Sequence, residues 1–229
     1  CLVGSEMCIR DSLIAIAGRL GIHLPLPRFD ELGRTIPCLA NVKPSGKYLI
    51  QEFHTAGGAP AVMKEIEGQL NGHCLTVTGK TVSQNLEGVQ CFNRDVIRPL
   101  ADPVAPEGAI VVLCGNLVPN GAILKTSAAS PHLMRHTGRA LVFENYADML
   151  ARIELPSLDV TADSILVLKN SGPKGAPGMP EWASIPIPAK LQKAGVKDIV
   201  RISDARMSGT SYGTVVLHAC PEAAANGPL

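Results

Sequence analysis

Ile165-Leu166-Val167-Leu168-Lys169-Asn170-Ser171-Gly172-Pro173-Lys174-Gly175-Ala176-Pro177-Gly178-Met179-Pro180-Glu181 decides the fold. Ile165 to Leu168 reads as a strand. It feeds a loop holding three glycines and three prolines and ending in a carboxylate. Glycine lets backbone come close to a ligand, and proline fixes the loop's shape. The pattern of a short strand running into a shaped loop returns at Asp198 to Ile202, which leads into Ser203-Asp204-Ala205-Arg206-Met207-Ser208-Gly209-Thr210-Ser211-Tyr212-Gly213-Thr214. Further strand-like runs lie at Ala109–Cys114, Ala122–Lys125, Arg139–Phe143 and Ser164–Lys169, with short helical patterns at Tyr146–Ile153 and Ala189–Ala194. Many short strands separated by turn signals, with few helices, fit a barrel-like or sandwich-like domain.

Upstream the character differs. Leu13, Ile16, Ala17 and Leu20 recur at helical spacing, so the pattern predicts a helix from a Ser12 cap to Leu20, ended by Gly21. Pro25 to Asp30 turns the chain, and Phe29-Asp30-Glu31-Leu32 starts a short helical pattern. Leu39–Val42 reads as a strand broken at Pro44-Ser45-Gly46, Ala59 to about Leu70 as a helix, and Leu75–Thr78 as a strand. The change of character puts a domain boundary between residues 88 and 97. The class is mixed α/β, and both ends read as unfinished: Cys1 to Ser12 has no evident role, and Gly227-Pro228-Leu229 closes no element.

Composition narrows the function classes. With 46% hydrophobic and 18% charged residues in 229, the chain can bury a sizeable core. A net charge of +1 offers nothing to a nucleic-acid backbone. The strongest short apolar run, Ala109 to Cys114, falls far below bilayer-spanning length, and no signal-peptide pattern is evident, so the expectation is a cytoplasmic protein. Seven cysteines, none in a C-x-x-C pair, argue against a disulfide framework or a self-contained zinc site, and most are expected to be small buried hydrophobes.

Glu181, at the end of a rigid loop, is the type of single hard oxygen donor that Mg²⁺ takes, although on composition alone a surface turn with a solvated Glu181 is the plainer reading. In the second loop, hydroxyl and glycine residues at a strand end can cradle an anion with backbone N–H groups. Gly209-Thr210-Ser211-Tyr212-Gly213 also matches the G-x-S-x-G nucleophile elbow of serine hydrolases. That reading is weak, because the elbow needs a strand–turn–helix and Thr214–Leu217 looks like strand. His132 and His136 lack the glutamate of a zinc motif and read as solvated or core side chains. Lys125, Arg139 and Glu144 flank strands and read as surface charge.

Together, Leu39-Ala40-Asn41-Val42-Lys43-Pro44-Ser45-Gly46, Gly115-Asn116-Leu117-Val118-Pro119-Asn120-Gly121-Ala122, Gly172 to Glu181, Asp204 to Thr210 and Pro221-Glu222-Ala223-Ala224 resemble, in order, the dihydroxy-acid and sugar-acid dehydratase family. The resemblance runs from about Leu13 to Leu229. It implies residues 13 to 92 as the tail of an amino-terminal α/β domain and 93 to 229 as most of a carboxy-terminal, barrel-like swivelling β/β/α domain, with residues 1 to 12 outside the pattern. It implies a 2Fe–2S cluster and Mg²⁺ as cofactors, with the cluster cysteines outside this chain. Residue by residue, it makes Glu181 a magnesium ligand, Ser208 the proton-abstracting base acting as an alkoxide, and Ser208, Gly209 and Thr210 substrate contacts. Asp204-Ala205-Arg206-Met207-Ser208-Gly209-Thr210 is closer to the pentonate and hexonate dehydratases than to the branched-chain biosynthetic enzyme. The implied reaction is loss of water from a 2,3-dihydroxy acid to give a 2-keto-3-deoxy acid. The implied partner is a small sugar acid or dihydroxy acid, with no nucleic acid or membrane, and the implied full-length enzyme is a homo-oligomer. The chain alone is expected to be inactive. The competing expectations are a swivel-barrel binding module without enzymatic activity and a hydrolase using Ser211.

Overall fold

The computed structural model describes residues 6–43, 45–209 and 211–229, without the side chains of residues 6–9. Two compact units emerge, one made of the described residues up to Asp30 together with Ala109–Leu229, the other of Glu31–Gly108.

The first unit is built on a six-stranded mixed sheet in the order β1-β2-β6-β5-β4-β3. β1 (Ile110–Gly115) and β2 (Val118–Lys125) form an antiparallel hairpin whose last paired residues, Gly115 and Val118, leave a tight turn at Asn116-Leu117. β2 runs antiparallel to β6 (Val215–Leu217), while β3 (Ala140–Phe143), β4 (Ile165–Leu168), β5 (Arg201–Ser203) and β6 are mutually parallel. Parallel strands with both faces covered read as unbroken apolar runs, and Leu166, Val167 and Leu168 are all buried. One core cluster joins Phe143, Leu166, Leu168 and Ile199 to Met149 and Leu191 from α6 (Tyr146–Arg152) and α7 (Ala189–Lys193). A second joins Ile123, Val215 and Leu217 to Ala183, Ala205 and Met207. The strand and helix expectations for this half stand to within a few residues. The mixed α/β class stands too.

In the same unit, α1 spans Glu6–Arg19, so Ser12 lies inside the helix rather than capping it. Gly21 does follow its end, with φ +70°, the left-handed conformation that only glycine adopts cheaply. The apolar side chains Leu13, Ile16 and Leu20 are exposed.

The second unit holds α2's second half (the helix spans Pro27–Thr35), α3 (Ile50–Thr55), α4 (Gly58–Glu65) and α5 (Val82–Asn85). Ala56, Ala61, Val96 and Ile97 form its core. Gly57, between α3 and α4, has φ +118°, and a Cβ there would stand 2.7 Å from the Gln90 carbonyl oxygen. Two expected strands are corrected here. Leu39–Val42 makes only isolated bridges, Ala40 with Ile97 and Val42 with Tyr48. Leu75–Thr78 is a turn, in which Thr76 N–H donates to the Lys80 carbonyl at 2.9 Å and the Thr76, Thr78 and Asn85 side chains bond one another. Alternation without a buried face is a weak strand signal, and local hydroxyl bonds outcompete a ladder; Leu75 and Val77 are both exposed. The helix expected from Ala59 to Leu70 stops at Glu65 and continues as a 3-10 turn, Glu67–Gln69.

The cysteine expectation is also corrected. Cys74, Cys114 and Cys220 are exposed, and Cys38 and Cys91 are half-buried. Of these five, Cys91 packs against the Ala56–Ile97 core cluster, and none is fully buried. No helix among the described residues is long and apolar enough to cross a membrane.

Candidate functional site

Leu168 and Ser203 are Cα partners at the carboxyl ends of the adjacent parallel strands β4 and β5. The glycine–proline loop and the serine–glycine loop therefore leave the sheet side by side, at the edge where open α/β sheets place their ligands.

The two loops then stay in contact. Ala183 N–H donates to the Arg206 carbonyl at 3.0 Å, Arg206 Nε donates to the Met179 carbonyl, and Ser184 Oγ donates to Ser211 Oγ at 3.0 Å. Glu181 lies between the first two contacts on one loop, and Ser208 between the last two on the other. Glu181 is exposed. Burial alternates along the second loop: Ala205 and Met207 face the core, whereas Arg206 and Ser208 are half-buried. Ser208 is thus not a core hydroxyl. Thr210 lies outside the described residues.

The glycine–proline loop is shaped from beneath. The Glu222 carboxylate accepts the Lys174 N–H at 2.9 and 3.0 Å and the Gly175 N–H at 3.1 Å. A Cβ on Gly172 would stand 2.5 Å from Glu222 Oε2, and one on Gly175 would stand 2.6 Å from the Asn170 carbonyl oxygen. The close approach that these glycines permit is therefore to the protein itself. Asp204, 1% exposed, accepts the Ser171 N–H at 2.9 Å and the Ala223 N–H at 3.0 Å. Burial pushes its carboxyl above the ordinary value, assisted by the nearby Glu222 charge and opposed by those amides.

The serine–glycine loop is held by buried charges. Asp198 accepts the Thr214 N–H and hydroxyl, the Ser130 N–H and the Ile199 N–H, and pairs with Arg201 at 3.1 Å. Arg201 also donates to the carbonyls of Ile185 and Tyr212. Burial alone would raise the Asp198 carboxyl, but these hydrogen bonds and the Arg201 charge hold it below the ordinary value. Lys125 is not surface charge. At 4% exposure it donates from Nζ to the Gly209 carbonyl at 2.8 Å.

Lys125, Asp198, Arg201, Asp204 and Glu222 were not singled out as supports of the site by the sequence reading. Only the Asp204–Thr210 and Pro221–Ala224 motifs, which contain Asp204 and Glu222, pointed at any of them. Arg139 and Glu144 do lie on the surface, and His136 bonds the Asp163 carbonyl. The hydrolase elbow has no helix after Ser211, since the chain enters β6, and Glu222 is taken up by backbone amides. Among the described residues, no three His, Cys, Asp or Glu side chains converge as a metal site.

Residues 95–229 match the family model for the dihydroxy-acid/6-phosphogluconate dehydratase carboxy-terminal domain, and residues 11–85 match that for the amino-terminal domain. The chain is 53% identical to an L-arabinonate dehydratase of Rhizobium leguminosarum bv. trifolii over 219 residues, which is 95% of this chain and 38% of that protein. It is 52% identical to an L-arabonate dehydratase of Azospirillum brasilense over 220 residues, 95% of this chain and 38% of that one. Against a chloroplastic dihydroxy-acid dehydratase of Arabidopsis thaliana the identity is 40% over 221 residues, 95% of this chain and 36% of the relative. The chain thus spans under two fifths of the length of these relatives.

Proposed function

Because the chain belongs to the dihydroxy-acid/6-phosphogluconate dehydratase family, we propose that it supplies the proton-abstracting part of a hydro-lyase that converts a sugar acid to its 2-keto-3-deoxy acid. Higher identity to the L-arabinonate and L-arabonate dehydratases than to the dihydroxy-acid dehydratase favours the sugar-acid substrate. The observation that carries the reading is the pairing of the Glu181 and Ser208 loops at the ends of β4 and β5.

In this reading Ser208 takes the α-proton, with Gly209 and Thr210 contacting the substrate, and residues 93–229 form the swivelling barrel-like domain. A serine hydroxyl is a weak base, so its oxygen must react as an alkoxide beside positive charge. One donor fits a hard cation: Glu181 offers an exposed carboxylate at the end of its loop. Mg²⁺, when bound, would supply charge that stabilises the enolate-like oxygen. Glu181 holds its place as one ligand because Arg206 fixes the Met179 carbonyl two residues before it. An iron–sulfur cluster does not fit the described cysteines, which join no group of three or more ligand-type side chains. For that reason these residues alone are proposed to be inactive.

The test is 2-keto acid formation from L-arabinonate and D-xylonate by the full-length enzyme after cluster reconstitution. Ser208→Ala is expected to lower kcat by about a thousandfold or more while leaving the visible absorption spectrum unchanged. Turnover by these 229 residues alone, or an active Ser208→Ala enzyme, would overturn the assignment.

A further inference from the structure

Lys125 occupies a place that ammonium groups seldom take. It ends β2, where Ala122, Ile123 and Leu124 are buried, and is itself 4% exposed. A buried charge is tolerated when it is hydrogen-bonded, and Lys125 Nζ donates to the Gly209 carbonyl at 2.8 Å. Gly209 directly follows Ser208, whose own carbonyl accepts the Ser211 N–H at 3.0 Å. The turn carrying Ser208 is thus tied on both sides, once by backbone and once by a cation from another strand.

We propose that Lys125 is a positioning residue for the Ser208 base: it pins the Ser208–Gly209 turn and sets its ammonium group against it. The inference rests on the assignment of Ser208 as the base. A neighbouring cation favours the ionised form of an acid, so the charge lowers the cost of the alkoxide. In the proton transfer, the α-proton leaves carbon for the Ser208 oxygen, and Lys125 exchanges no proton with the substrate. Arg206 gives its Nε to the Met179 carbonyl, Asp198 and Arg201 pair with each other at 3.1 Å, and Glu181 lies on the neighbouring loop.

The experiment uses the full-length enzyme with L-arabinonate as probe and follows kcat against pH for Lys125→Gln, Lys125→Met and Lys125→Arg. Glutamine keeps an N–H for Gly209 and removes the charge; methionine removes both; arginine keeps both. Lys125→Gln is expected to shift the rising acidic limb of the profile to higher pH and to lower kcat at neutral pH by about a hundredfold, with KM little changed. Lys125→Arg should restore the limb, and Lys125→Met should lose more than Lys125→Gln. A Lys125→Gln profile that superimposes on the wild type, or a loss equal at every pH, overturns the proposal. Should Lys125→Met fail to fold, the glutamine and arginine pair still decides. An active wild type with a dead Ser208→Ala and an unaltered Lys125→Gln defeats the Lys125 role alone, whereas an active Ser208→Ala defeats the base assignment beneath it.

Discussion

The loops that follow β4 and β5 begin as Cα neighbours yet are held by opposite means. Residues 172–181 are exposed over much of their length and rest on the Glu222 carboxylate through backbone amides. Residues 204–214 are anchored by Lys125, Asp198, Arg201 and Thr214, each under a tenth exposed. The difference matches the two tasks proposed for them. A single carboxylate that meets Mg²⁺ leaves most of the ion's octahedral shell to water and substrate, so its loop can give a little, whereas a base must stand where the proton is.

The comparison breaks most visibly at Asp198. Asp198→Ala leaves the Arg201 guanidinium buried without its partner and takes the acceptor from Thr214, Ser130 and Ile199. A loss of about 3–5 kcal/mol is expected by urea denaturation of the full-length protein. A loss under about 1 kcal/mol would mean that the second loop is no better anchored than the first. Glu222→Gln should cost less, about 1–2 kcal/mol, because charge-assisted bonds to Lys174 and Gly175 become neutral ones. Its signature is faster amide exchange confined to residues 172–178. Exchange that instead rises around Ser208 would show the two loops to be one cooperative piece.

The smallest effects lie in acid, where the two buried aspartates act in opposite directions. Asp198 titrates in the fold below its ordinary 3.8, so its stabilisation is complete above that value and is lost as pH falls through the folded pKa. Asp204 titrates above 3.8, so its contribution declines as pH rises from 3.8 to the folded value. Asp204→Asn should therefore flatten the part of the stability–pH curve just above 3.8, as followed by thermal melts at stepped pH. A curve unchanged there would show that Asp204 ionises without penalty.

Much of this fold was readable before any coordinates. The β4 run is apolar without interruption, as strands covered on both faces are, and the glycine–proline and serine–glycine stretches after β4 and β5 announced loops. Leu75–Thr78 misled because a period-two pattern says nothing when neither face is buried. Ser12 misled because a cap residue inside a helix looks the same in sequence as one at its start. The supports of the site were hidden for a different reason. Lys125 reads as surface charge in a linear chain, Asp198 and Arg201 read only as part of a strand run, and the pairing of β2 with β6 and of β5 with β6 brings their partners within reach. A charge becomes informative once its partner, 84 residues away for Lys125 and Gly209, is known.

Trp182 is the one tryptophan of the chain; it follows Glu181 directly, and its ring lies 4.2 Å from that of Tyr146 at 8°. The molecule therefore carries its own optical probe at the peptide bond next to the carboxylate proposed to meet the cation. Emission from that indole can report the loop's response to added divalent ions without a label, an assay of turnover or a cluster in place.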